Sequence, residues 1–131
     1  MRTCLHTIAL AALLSASVLA QELPDNALLV GHWSFDEGEG IWAGDQAGFD
    51  NDGFLGVYLE ADPDDPAWVA EGRAGGCLRF DGTGDRVTVQ HAAHLGPAEG
   101  IIAEAWVMQT ERTDFARVLD KGLTFDIFCN H

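Results

Sequence analysis

The sequence predicts an all-β fold, an antiparallel β-sandwich or jelly roll, and three observations predict it. Short segments of alternating apolar and polar residues recur along the chain. Helical periodicity is absent after residue 20. Clusters of Gly, Asp and Pro interrupt the segments at intervals of roughly 8–12 residues, the spacing of small β-sandwiches. A chain of 131 residues has the length of one small domain.

Residues 1–20 stand apart. Arg2 supplies a positive start, residues 8–14 are apolar, and Val18-Leu19-Ala20 offers modest residues at a cleavage position before Gln21. This pattern predicts a cleaved signal peptide and a secreted, periplasmic or cell-surface protein. The apolar run falls short of the roughly 20 residues that span a bilayer, and no later segment is long enough. Cys4 precedes the apolar core, so it cannot act as a lipoprotein cysteine. A short lead, residues 21–27, then opens onto a domain expected over residues 28–131. This mature part holds all 21 acidic residues but only six of the seven basic ones, a net charge near −15. That charge opposes binding to nucleic acid or anionic membranes, which need cationic contacts. It favours solubility and divalent cations, and a salty habitat would explain it equally.

The first strand is expected at residues 28–35, with Gly31, Trp33 and Phe35 on one face and Val30, His32 and Ser34 on the other. Residues 36–53 form a Gly/Asp-rich return. A second strand follows at 53–59, and the two prolines of 62–66 enforce a loop. A short strand surrounds Trp68. Residues 77–80 and 86–90, joined by Asp81-Gly82-Thr83-Gly84-Asp85, form the clearest hairpin candidate. One helical turn is expected near residues 92–95. Residues 101–108 are apolar on both faces, which predicts an inner strand. Strands at 117–121 and 124–128 complete the set. Cys77 and Cys129 remain after cleavage, an even pair that can form one disulfide in an oxidising compartment or stay as two unrelated thiols. No CxxC or Cys/His cluster points to zinc.

Four segments, LVGHWSFDEGEG (29–40, with a D…G…NDG return at 45–53), GGCLRFDGTGDRVTV (75–89), AEAWV (103–107) and VLDKG (118–122), occur in one order over roughly 95 residues. Together they resemble the laminin-G-like, concanavalin A-like jelly-roll domains of secreted bacterial proteins. The resemblance implies two face-to-face antiparallel sheets whose inner faces hold Trp33, Phe35, Leu78, Phe80 and Trp106. Such burial is worth about 1.5–3 kcal/mol per side chain. It also implies later strands, with a Trp-x-His-Val-Ala-like segment, which this sequence lacks. The domain is therefore expected to be incomplete at its C-terminus, as a fragment, through a frameshift, or with strands supplied by another chain.

No catalytic set emerges. Some relatives of the fold carry a Glu-x-Asp-x-x-Glu strand. The nearest match, Glu60-Ala61-Asp62-Pro63-Asp64-Asp65, is a proline loop without the final Glu. Glu37 and Glu39 lie among glycines, and Glu104 is alone on its strand. His32, His91, His94 and His131 are expected at the surface. Calcium is the one cofactor considered. Asp45, Asp50, Asn51, Asp52, Asp81 and Asp85 supply hard oxygen donors in Gly-rich loops, though the same residues serve as ordinary turn formers. Trp42, Tyr58 and Trp68 are candidate platforms for stacking on sugars, with core-capping as the competing role for a loop Trp. The expected function is exported, non-catalytic recognition of a glycan or an extracellular protein. The competing expectation is a structural module, or a truncated piece of a larger surface protein, with no ligand of its own.

Overall fold

Strands β1 (Thr3–Ala12), β2 (Leu28–Trp33), β3 (Trp42–Ala43), β4 (Gly53–Leu55), β5 (Ala67–Val69), β6 (Cys77–Phe80), β7 (Val87–Val89), β8 (Ile101–Gln109), β9 (Ala116–Asp120) and β10 (Asp126–Cys129) carry the regular structure, with one 3₁₀ turn at Ala93–Leu95. The computed structural model describes residues 3–12, 28–96, 100–111, 116–122 and 124–129. The fold is all-β, as predicted, and every pairing of these strands is antiparallel.

Strand β1 runs through the middle of the largest sheet. Along one side lies β8, with residues 3–5 opposite 107–109 and residues 8–12 opposite 101–105. Along the other side β2 faces residues 8–12 and β6 faces residues 3–5. Strand β5 extends the sheet beyond β6. The sequence sets residues 1–20 aside as a leader, yet ten of them form the strand that joins the others. An uncharged, largely aliphatic segment suits a position hydrogen-bonded on both edges. The expected cleavage point at Ala20 and the lead at 21–27 lie outside the described residues. A second sheet has the order β3-β4-β7, and β9 and β10 form a separate hairpin.

Simple alternation fails in β2. Its register against β1 passes from Leu10 opposite Gly31 to Ala11 opposite Leu29, so Val30 is passed over as a β-bulge. The bulge explains why Val30 and Trp33, expected on opposite faces, enter one core cluster. Gly31 remains on the Trp33 face, where a Cβ would fall inside the indole ring. Phe35, just past the strand, is buried with a left-handed φ of 60°.

The expected hairpin of residues 77–90 does not form. Strand β6 pairs with β1 and β5, whereas β7 pairs with β4 in the other sheet. With both edges of β6 taken, the Asp81–Asp85 turn becomes a corner between sheets. The strand expected at 53–59 stops at Leu55, because Gly56 has a φ of 73° and Asp65 fills the space a Cβ would need. Strand β8 is covered on one face only. Ile101, Ala103 and Val107 pack on the core, while Glu104, Trp106 and Met108 are exposed. Trp106, assigned to the inner face by the resemblance, shares the parity of Glu104 and Met108 and turns outward.

The core cluster, Val30, Trp33, Phe35, Ala43, Leu55, Leu78 and Leu95, draws on both larger sheets and the 3₁₀ turn. Phe80 and Trp68 pack against it. Cys77 is fully buried and disulfide-bonded; the side chain of Cys129, its expected partner, lies outside the described residues.

Two sequence motifs meet beside this core. The Asp36 carboxylate accepts the Gly76 N–H at 2.6 Å. A Cβ at Gly76 would lie 2.7 Å from the Phe35 carbonyl oxygen, a backbone atom that cannot swing away. Gly76→Ala is therefore expected to cost about 1–3 kcal/mol, read as a fall in Tm of roughly 5 °C or more by circular dichroism. An unchanged Tm would contradict the close approach.

Candidate recognition surface

The return loop after β2 is organised by two side chains. Asp45 Oδ1 accepts the backbone N–H groups of His32 (3.0 Å) and Ala47 (2.9 Å), and Oδ2 accepts those of Phe49 (3.3 Å) and Asn51 (3.2 Å). Burial works to raise this carboxyl, but the four donors from His32, Ala47, Asn51 and Phe49 outweigh it and hold it below its ordinary 3.8. Asp52 completes the loop by accepting the Asp45 N–H at 2.8 Å.

Asn51, 5 % exposed, has all four of its polar groups engaged. Its Nδ2 donates to the carbonyl of the bulged Val30 at 2.7 Å, and its backbone carbonyl accepts Trp33 Nε1 at 2.9 Å. Its N–H reaches Asp45, and its Oδ1 lies 3.0 Å from His94 Nε2. The same Nε2 lies 2.9 Å from Asn51 Nδ2, so His94 donates to Oδ1 when Nε2 is protonated and accepts from Nδ2 when it is not. The His94 ring also packs on Phe49, with centroids 5.0 Å apart. His94, expected at the surface, is a half-buried link between the loop and the 3₁₀ turn. In this loop Asp45 and Asn51 direct their side-chain oxygens to the protein, and Asp52 uses Oδ1. Asp50 is exposed with a φ of 57°.

The other acidic candidates gather in the corner between β6 and β7. Asp85 Oδ2 accepts the Asp81 N–H, and Asp81 Oδ1 accepts the Thr83 N–H, both at 2.6 Å. Asp64, from the proline loop, lies close enough to act on Asp85. Burial, then the like charges of Asp81 and Asp64, raise the Asp85 carboxyl above its ordinary value, against the opposing effect of the Asp81 N–H. Among the described residues no group of three or more His, Cys, Asp or Glu side chains is arranged to hold a metal ion. Three of the carboxylates weighed for catalysis accept backbone N–H groups nearby. Glu37 accepts the Gly44 N–H at 2.8 Å, and Asp62 and Asp65 cap their own loop.

The three aromatic candidates take different roles. Trp42 is 51 % exposed on the short edge strand β3. It stands opposite Phe54, itself buried at 6 % exposure, with ring centroids 6.2 Å apart in an edge-to-face arrangement. Trp68 is half-buried against the core, and its Nε1 donates 2.7 Å to the Gly40 carbonyl. It therefore ties down the loop that leads into Trp42. Tyr58 is 66 % exposed in the turn after β4, flanked by exposed Val57 and Leu59. A fourth aromatic was missed. Trp106 is 59 % exposed on β8, with the Arg73 guanidinium 5.2 Å from its ring centroid. The signal was present in its shared parity with Glu104, but the apolar run of β8 concealed it.

Among the described residues no helix is long and apolar enough to cross a membrane. Comparison of the chain with family models, curated proteins and solved structures found no match.

Asn51→Ala removes two side-chain hydrogen bonds and leaves the Val30 carbonyl buried without its donor. A loss of about 2–4 kcal/mol is expected by denaturant unfolding; a loss below the error of that method would contradict the role given to Asn51. Asp45 adds a pH signature. Its folded pKa is depressed, so its stabilisation is complete above about pH 4 and fades as pH falls through the folded value. Asp45→Asn should lower stability at neutral pH and flatten that acid limb.

Proposed function

We propose that the chain is an exported, non-catalytic recognition module of the laminin-G-like, concanavalin A-like jelly-roll kind, and that it binds a glycan through the Trp42-bearing face of its three-stranded sheet. Two sheets contributing to one core cluster support the sandwich reading. The observation that carries the functional reading is Trp42. A half-exposed indole, braced edge-on by Phe54 and led in by a loop tied to Trp68, is a flat apolar surface held in one orientation. Sugar rings stack on such surfaces through their C–H faces, and preorganisation lowers the cost of binding. The acidic surface favours neutral glycans or those with a cationic group over polyanionic ones.

A glycan array probed with the exported protein tests this. Retention of a glycan by the wild type, and at least a tenfold loss with Trp42→Ala at unchanged Tm, is expected. Equal binding by both proteins would remove Trp42 from the site, and no retained glycan would favour the structural-module reading. Running the array with and without calcium tests whether the Asp64, Asp81 and Asp85 carboxylates take part, since a cation would relieve their mutual repulsion.

A further inference from the structure

The segment that reads as an export signal also occupies the centre of the largest sheet. Eight residues of β1 are paired with β8, five with β2 and three with β6. Among the described residues, no other pairing joins β8 to β2 or to β6. Processing before Gln21 would therefore leave a vacated position about ten residues long, bordered on both sides by strand edges. Those edges belong to buried structure. Val30 and Leu78 are almost fully buried, and Ala103 and Val107 pack against the core. Buried backbone donors and acceptors without partners are costly, and an open strand edge is a template for another strand.

We propose that this position is a strand-acceptor site: after the leader is removed, it takes one extended, uncharged aliphatic segment from a partner polypeptide, antiparallel to β2, β6 and β8. The proposal rests on the export reading. The seated leader defines what fits. Thr3–Ala12 is TCLHTIALAA, ten residues without Asp, Glu, Lys or Arg. Its backbone serves two neighbours at once, with Leu10 opposite Gly31 on one side and Ala103 on the other. An occupant must therefore be free of proline at the positions of residues 3–5 and 8–12, where each residue is paired with a strand on both sides. The described strands β2 to β10 already have places in the three sheets, so none of them is the donor. Main-chain hydrogen bonds would supply affinity, and the pattern of side chains would supply selectivity, as in other strand-addition complexes.

The probe is a synthetic peptide of residues 3–12 carrying Cys4→Ser, added to the chain collected after export and to the full chain made without export. The peptide is expected to bind the exported chain one to one and to raise its Tm by about 5 °C or more at saturation. The same peptide with Leu10→Pro should have no effect, and neither peptide should shift the full chain, whose site is filled. Intact mass of the exported chain separates the two ways of failing. A mass that includes residues 1–20 overturns the proposal by showing that the site is never vacated. A mass beginning at Gln21, with no peptide-dependent shift, overturns it while leaving the export reading intact. Sedimentation covers the remaining outcome: an exported chain that self-associates and thereby excludes the peptide would overturn the partner in favour of a second copy.

Discussion

Everything in the larger sheet depends on the two-sided pairing of Thr3–Ala12. Strand β2 presents the bulge and Trp33, β6 presents Leu78 and Cys77, and β8 presents Ala103 and Val107. Each meets β1 along its backbone. One ten-residue strand, paired through residues 3–5 and 8–12, thus fixes the relative positions of strands far apart in sequence. The constraint is unusual because the same residues have the composition of an export signal. Both properties follow from one feature, an uncharged aliphatic run. A translocation signal needs apolarity without charge, and so does a strand hydrogen-bonded on both sides within a sheet.

A polar linkage complements that apolar ladder. The bulge at Val30 frees a carbonyl from the regular pairing with β1, and Asn51 claims it. Asn51 also receives the Trp33 indole N–H and contacts His94, while Asp45 gathers the backbone of the same loop. Burial of these groups is tolerable because they satisfy one another. The consequence reaches the candidate surface. The strand that bears Trp42 leads directly into Gly44 and Asp45, so an anchored loop holds an otherwise very short edge strand.

Much of this was legible in sequence, and its limits have physical causes. The all-β class, the positions of most strands and the turn at Ala93–Leu95 follow from local alternation and turn chemistry. The paired glycines at 75–76 and the Phe35-Asp36 step were visible as motifs; their contact was not, because it joins residues 40 apart. The hairpin at 77–90 failed because proximity in sequence does not decide pairing when both edges of β6 are occupied. Val30 was misplaced because a bulge breaks the two-residue period. The role of Asp45 was hidden by its chemistry: a carboxylate that caps a loop and one that binds calcium look alike until its hydrogen bonds are known.

Amide hydrogen exchange on the full, uncleaved chain tests the central claim most directly. If β1 occupies the middle of the sheet, slow exchange should extend across both its flanks, in Leu28–Trp33 and in Ile101–Gln109, and through Thr3–Ala12 itself. Fast exchange throughout Thr3–Ala12, with β2 and β8 still protected, would contradict the account, because those strands would then be held by something other than β1.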